Sequence, residues 1–184
     1  MALLCCYYFR LKSPKGRENY RKTIEEQMKT SVSNLIKEND FLEELLRDGQ
    51  KKLIDGMELP ADTATNRALS ENIFVLVACI VNRIPIILCG KSGCSKASSV
   101  QIVISNLKGK KSRTKYFQTL PELVSVSYQG SQNCTSESVL KIFKRAEKYL
   151  KAKNDTDQLL PVIVFDEIGL AELSPHNPLK VLVT

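Results

Sequence analysis

The 184-residue sequence has no tryptophan and a single histidine, and aromatic residues make up only 7% of it. It also lacks a long hydrophobic run, since its longest apolar stretch, IFVLVACIV, covers only residues 73–81. A helix needs about 20 apolar residues to cross a bilayer, so we expect no transmembrane segment. The first residues, MALLCCYYFR, have neither a basic leader nor a small-residue cleavage site after them, which argues against a secretory signal.

Cysteine is present, but not at the spacings that bind zinc or build a disulfide framework. None of the six cysteines belongs to a C-x-x-C pair, and three lie in apolar runs, where a thiol packs like a small hydrophobic group. This use of cysteine is typical of a reducing, intracellular compartment. We therefore predict a cytoplasmic protein without a zinc site.

The formal net charge of +7 is compatible with an anionic partner. The densest basic run, LKGKKSRTKYF at residues 107–117, follows a predicted helix and contains a glycine. Surfaces that bind nucleic acid combine positive charge with interleaved aromatic residues, which are sparse in this run. We interpret the run as a solvated loop and expect no nucleic-acid partner.

The apolar pattern changes at about residue 60 and predicts two parts. Apolar and polar residues alternate weakly over residues 1–12, which predicts a strand. Over residues 18–54, apolar residues recur at helical spacing. The latter pattern predicts two amphipathic helices with a break near residues 38–40. Residues 1–60 are thus interpreted as the end of a preceding module or a linker. Packing of this helical pair against the following domain is favoured over a partner-binding coiled coil.

Residues 61–184 alternate between helical patterns and short apolar runs, which is typical of an α/β domain with a mainly parallel sheet. The predicted elements are a buried helix at 66–82, a buried strand at 84–88, a helix at 95–107, a strand at 121–128, an amphipathic helix at 135–150 and a final strand within LPVIVFDE at 160–167.

A glycine-rich loop with a lysine follows the predicted strand at 84–88. In a P-loop, or Walker A motif, backbone N–H groups cradle the phosphates, a helix N-terminus adds positive potential and the lysine reaches the outer phosphates. Ser95 stands where the strict pattern has a glycine, and Ala97 where it has a magnesium-binding Ser or Thr. A glycine turn with an incidental surface lysine is the alternative. The predicted nucleotide-binding residues are Gly90, Lys91, Ser92, Gly93, Cys94, Ser95, Lys96 and Ala97.

An acidic pair about 70 residues beyond Lys96 supports this interpretation. The run VIVF is followed by Asp166 and Glu167, which is the Walker B pattern. In that pattern the strand places Asp166 to hold hydrated magnesium and Glu167 to orient the attacking water. Since both motifs lie in the required order and each follows a predicted strand, they favour a site for ATP and Mg²⁺ over a coincidence.

Two longer stretches carry a family resemblance. NRALSENIFVLVACIVNRIPIILCGKSGCSKASS and LPVIVFDEIGLAELSPHNPLKVL resemble one AAA+ module of the mysterin family of giant AAA+ ATPases and RING-type E3 ubiquitin ligases. The resemblance covers residues 61–182, and a serine at the position of Ser95 is normal in the family. It implies a P-loop NTPase fold, ATP and Mg²⁺ as cofactors, Glu167 as the general base, and adjacent AAA+ modules of the same long chain as partners.

The chain departs from the family pattern in two ways. Ala97 replaces the usual serine, and only 17 residues follow Glu167, so that the sensor strand, the arginine finger and the helical lid have no counterpart. We therefore expect a truncated AAA+ module that binds ATP, and we assign hydrolysis and ligase activity to the parent family. The alternative is a non-catalytic structural or interaction module with a degenerate nucleotide site. A small P-loop kinase is a third possibility, for which the sequence shows no acceptor site.

Overall fold

The computed structural model describes residues 7–31, 41–91, 93–151 and 159–182. The chain divides into two compact units, Met1–Val103 and Ile104–Thr184. The sequence-based boundary between residues 60 and 61 stays a prediction.

The described part of the first unit contains three long helices and the start of a fourth. The helices are α1 (Pro14–Ser31), α2 (Phe41–Asp55), α3 (Arg67–Val81) and α4 (Lys96–Asn106), and a short 3₁₀ helix, Tyr8–Arg10, precedes them. The predicted strand at 1–12 is therefore wrong for its described part. Tyr8 is buried against Leu42 and Leu46 of α2, and this packing of its ring favours a 3₁₀ turn over an extended backbone.

Ionic and capping contacts join the three long helices. Arg17 of α1 forms a 2.8 Å ion pair with Glu71 of α3. The buried carboxylate of Glu25 accepts a hydrogen bond from the backbone N–H of Leu42, at 3.0 Å. That bond satisfies one of the N–H groups that a helix start leaves without an intrahelical acceptor. The predicted helical pair is confirmed and packs against α3, whereas the break predicted at 38–40 lies outside the described residues.

Helix α3 confirms the prediction for residues 66–82. Asn66 caps its N-terminus by accepting a 2.8 Å hydrogen bond from the backbone N–H of Leu69. One face of the helix is buried and fills the core of this unit with aliphatic side chains, those of Leu69, Ile73, Leu76 and Val77.

The buried strand predicted at 84–88 is wrong. These residues form no strand, and the side chains of Ile84 and Ile87 are 51% and 71% exposed. An apolar run becomes a buried strand only when neighbouring strands accept its backbone hydrogen bonds and other elements cover its faces. Within the described residues the sheet consists of two other strands, which pair with each other.

The second unit is an α/β arrangement around those two strands. Strands β1 (Glu122–Gln129) and β2 (Leu159–Asp166) pair in parallel from Glu122↔Leu159 to Gln129↔Asp166. The helices of this unit are α5 (Lys115–Gln118), α6 (Ser136–Lys151) and α7 (Ile168–Glu172), and a 3₁₀ helix, Pro178–Leu182, follows them. Helix α6 packs on both strands, as a crossover between parallel strands requires. The predicted strands at 121–128 and 160–167, the helix at 135–150 and the parallel pairing are confirmed.

Membrane insertion by a helix finds no support in the described part of the chain. No helix there combines the length and the apolar character that crossing a bilayer requires.

Candidate functional site

The glycine-rich loop closes around the ammonium group of Lys96, the first residue of α4. The Nζ atom of Lys96 donates hydrogen bonds to the carbonyl oxygens of Gly90 and Lys91, at 2.7 and 2.8 Å. These bonds draw both ends of the loop together across the helix start. Ser92, a predicted member of the loop, lies outside the described residues.

Among the described residues of the loop, two adopt a left-handed backbone. Gly93 has φ +81°, which costs glycine little, and no atom lies within 4 Å of the position that a Cβ would take there. Ser95 has φ +54°, a conformation that costs a residue with a side chain about 1 kcal/mol. The serine that replaces the glycine of the strict motif therefore occupies a backbone position suited to glycine.

Asn72, in the middle of α3, holds the loop from the side. Its Nδ2 atom donates a 3.1 Å hydrogen bond to the carbonyl oxygen of Cys94. Sequence reasoning missed this residue, which lies directly before the apolar run at residues 73–81 and belongs to no recognisable motif.

The start of α4 supplies backbone donors but no free hydroxyl at the magnesium-ligand position. The first N–H groups of a helix have no acceptor within it, so those of Lys96 and Ala97 are available to an anion. Ala97 and Ser98 are exposed. The hydroxyl of buried Ser99 donates to the carbonyl oxygen of Lys96 at 2.7 Å and is thereby used inside the helix.

The acidic pair lies at the carboxyl end of β2. Asp166 is the last residue of the strand, and its Oδ1 atom accepts a 2.9 Å hydrogen bond from the backbone N–H of Glu167. Glu167 has φ +50° and ψ +40° and precedes α7, so the chain turns sharply between the two carboxylates. Both residues are exposed, and their side chains are accessible to a hydrated metal ion.

Gly130, directly after β1, fixes this acidic turn. Its backbone N–H donates to the carbonyl oxygen of Asp166 at 2.8 Å. A Cβ atom on Gly130 would lie 2.5 Å from the carbonyl oxygen of Glu167, so that only glycine fits. Sequence reasoning missed this residue too. Its position two residues after the strand predicted at 121–128 was the available signal.

A partly buried polar cluster of Tyr128, Cys134 and Ser138 lies next to the acidic turn, and only Cys134 in it is fully buried. The Tyr128 hydroxyl lies 2.9 Å from the Cys134 Sγ atom and 2.8 Å from the Ser138 Oγ atom. The hydrogen bond with Cys134 raises the pKa of Tyr128; the Ser138 hydrogen bond opposes that rise and burial adds to it. The Tyr128 ring also packs edge-on against Phe165, next to Asp166, with 5.1 Å between centroids.

The loop belongs to the first unit and the acidic turn to the second. Their joint action on one ligand stays a prediction. The described residues contain no cluster of three or more His, Cys, Asp or Glu side chains that could hold a metal ion by themselves. A cavity of about 730 Å³ in the first unit is lined by α2, α3 and the residues between them, and neither the glycine-rich loop nor the acidic turn contributes to it.

Comparison with known proteins gives the family. The model of the RNF213 AAA domain family matches residues 62–184. The chain belongs to the RNF213 AAA domain family. Because mysterin is another name for RNF213, the family resemblance inferred from the sequence motifs is confirmed.

Individual RNF213 proteins show the same relationship. Over 99% of its own length, the chain is 34% identical to the human E3 ubiquitin-protein ligase RNF213 and 33% identical to the zebrafish E3 ubiquitin-protein ligase rnf213-beta. It is 37% identical to the mouse E3 ubiquitin-protein ligase RNF213 over 72% of its length. The chain spans about 3% of the length of these RNF213 relatives.

Proposed function

We propose that this chain is a nucleotide-binding AAA module that takes ATP together with Mg²⁺. The glycine-rich loop binds the phosphates, Asp166 holds the metal through water, and Glu167 is the general base. Membership of an AAA domain family supports this proposal, as does the order of the two motifs along the chain.

The observation that carries the proposal is the position of Lys96. Its ammonium group lies over the loop carbonyls of Gly90 and Lys91, at the start of an 11-residue helix. Carbonyl oxygens are weaker partners for an ammonium group than phosphate oxygens, because hydrogen bonds between two charged groups are shorter and stronger. ATP would therefore draw Lys96 from the carbonyls to its outer phosphates.

The residues present fit a magnesium ion held mostly through water. Asp166 would bind its hydration shell, and Glu167 would accept a proton from the attacking water. When bound, the metal supplies positive charge to the phosphates. Ala97 offers no hydroxyl ligand, but a water can take that place in the magnesium shell, so we expect ATP binding to persist. We expect ATP hydrolysis to be very slow.

The second candidate is a structural or interaction module whose nucleotide site is degenerate. Ala97 favours it, since its side chain has no hydroxyl to serve as the metal ligand. The names of the RNF213 relatives describe ubiquitin ligases, and we propose that this chain serves as an AAA module of such a ligase, beside further AAA modules. Measured nucleotide binding separates the two candidates.

A binding experiment on the full chain tests the proposal. We expect a fluorescent ATP analogue to bind with Mg²⁺, and Lys96→Ala to weaken its affinity about tenfold or more, which corresponds to about 1.4 kcal/mol or more. The matched control is Lys110→Ala, which removes the same charge from an exposed position in the second unit and should leave the affinity unchanged.

The metal side of the site is tested in the same assay. Ala97→Ser restores a hydroxyl at the ligand position and should tighten binding by about 1 kcal/mol only when Mg²⁺ is present. Absence of ATP binding by the folded wild-type chain would instead support the structural module.

A further inference from the structure

The hydrogen bond from Asn72 to Cys94 lies at the strained point of the phosphate loop. The carbonyl of Cys94 belongs to the peptide group that joins Cys94 to Ser95, and Ser95 has φ +54°. The φ angle of Ser95 sets the orientation of this peptide group relative to α4. A contact that fixes the Cys94 carbonyl oxygen therefore favours the left-handed conformation of Ser95.

The same contact directs a backbone donor. In a trans peptide group the carbonyl and the N–H point in opposite directions. Because the Cys94 carbonyl oxygen is bound to α3 through Asn72, the N–H of Ser95 points away from α3. Convergent loop N–H groups of this kind are what bind phosphate in a P-loop.

We propose that Asn72 is a positioning residue that compensates for the serine at position 95. A glycine there would adopt the left-handed backbone without help, whereas Ser95 pays a conformational penalty of the same order as one hydrogen bond. Asn72 supplies that hydrogen bond from helix α3. This inference rests on the proposed function, because its purpose is to hold the loop ready for ATP.

A double-mutant cycle at positions 72 and 95 tests the proposal on the full chain. We expect Asn72→Ala to weaken binding of the fluorescent ATP analogue about fivefold, the effect of one hydrogen bond. In the Ser95→Gly background the same substitution should weaken it by less than about twofold, because glycine needs no compensation.

Two further variants separate positioning from helix packing. Asn72→Asp keeps the size of the side chain but lacks the amide donor, so we expect it to weaken binding as Asn72→Ala does. Asn82→Ala removes a comparable bond, 2.7 Å from Asn82 Nδ2 to the Ala78 carbonyl oxygen, at the other end of the same helix. It should leave ATP affinity unchanged.

Equal losses in the Ser95 and Ser95→Gly backgrounds, or full affinity in Asn72→Asp, would overturn the proposal. A purely structural role of Asn72 would lower affinity regardless of the residue at position 95. Rescue by Ser95→Gly is therefore the decisive readout.

A measurement without nucleotide keeps the inference separate from the proposed function. The backbone N–H of Ser99 donates to the carbonyl oxygen of Ser95 at 2.9 Å, so its hydrogen exchange reports the backbone at position 95. We expect Asn72→Ala to speed this exchange about fivefold and Ser95→Gly to suppress the difference. If the wild-type chain binds no ATP, the proposed function fails, yet the exchange rates still support or overturn the role of Asn72.

Discussion

The two halves of the candidate site are held by different forces. The acidic turn follows a strand whose backbone is paired along its whole length. The backbone of Gly130 packs directly against the backbone of this turn. The phosphate loop follows a segment that forms no strand, and two side chains, those of Lys96 and Asn72, hold its carbonyl oxygens. Backbone packing therefore fixes the acidic turn, whereas side-chain hydrogen bonds fix the loop.

This difference predicts how each half responds to substitution. Replacing a side chain that holds the loop removes one hydrogen bond for Asn72 and two for Lys96, and each is worth about 1 kcal/mol. A side chain added at the acidic turn collides with backbone that cannot move without disturbing the strand pair, so the effect should be larger. Substitutions at the loop should therefore change its stability in small steps, whereas a side chain added at the acidic turn should disrupt the turn.

The largest effect is expected from Gly130→Ala. The added Cβ would lie 2.5 Å from the Glu167 carbonyl oxygen, and relief requires a shift of the backbone that carries the acidic pair. We expect the free energy of unfolding to fall by about 3 kcal/mol, at the upper end of the effects of overpacking. Urea denaturation of the full chain measures it.

Gly169→Ala is the control for this prediction. Gly169 lies in α7, close to the same turn, and nothing lies within 4 Å of its Cβ position. Alanine there should leave stability unchanged or raise it by up to about 1 kcal/mol. Equal stability of the two variants would show that the turn is not held by Gly130, and the contrast between the two halves would lose its basis.

An intermediate effect is expected from Tyr128→Phe, which removes the hydroxyl that lies near Cys134 and Ser138. We expect a loss of about 1 kcal/mol in unfolding free energy at neutral pH. The hydrogen bond with Cys134 raises the pKa of Tyr128 in the folded chain. The stabilisation by this hydrogen bond is therefore complete below the pKa of tyrosine in the unfolded chain, about 10. It is lost as the pH rises through the pKa of Tyr128 in the folded chain.

Measured stability as a function of pH checks that sign. The difference between wild type and Tyr128→Phe should shrink above about pH 10. Tyr116→Phe, in which the affected tyrosine is exposed, should change stability by less than about 0.5 kcal/mol at any pH. If the difference in unfolding free energy between wild type and Tyr128→Phe grew with pH, the pKa of Tyr128 would not be raised in the folded chain.

The sequence predicted elements well where the chain itself supplies the packing partners. The helix at 135–150 and the strands at 121–128 and 160–167 pack on one another, and all three are confirmed. The run at 84–88, IPIIL, is as apolar as the run LPVIVF at 160–165. Composition alone, however, does not tell whether a neighbouring strand is present to pair with it. The described residues provide none for it, and the strand prediction was wrong.

The candidate site was predictable only in its chemically distinctive residues. The loop and the acidic pair carry recognisable motifs, and their roles stay predictions. Asn72 and Gly130 carry no motif, because each acts through one tertiary contact between segments far apart in the sequence. Asn72 reaches a residue 22 positions away, and Gly130 lies against Phe165 of the next strand and Glu167 directly after it.

The smallest effect is expected from Ser95→Gly, and it tests whether the loop is strained. Glycine removes the penalty of about 1 kcal/mol for the left-handed backbone but gives the unfolded chain more freedom, which costs about 0.4–1 kcal/mol. We expect a net stabilisation of at most about 0.6 kcal/mol by urea denaturation. Ser98→Gly makes the same chemical change inside helix α4 and should destabilise by about 0.5 kcal/mol. If both variants lost stability, Ser95 would not be strained. Asn72 would then have no penalty to offset, and the loop would be held by its backbone, as the acidic turn is.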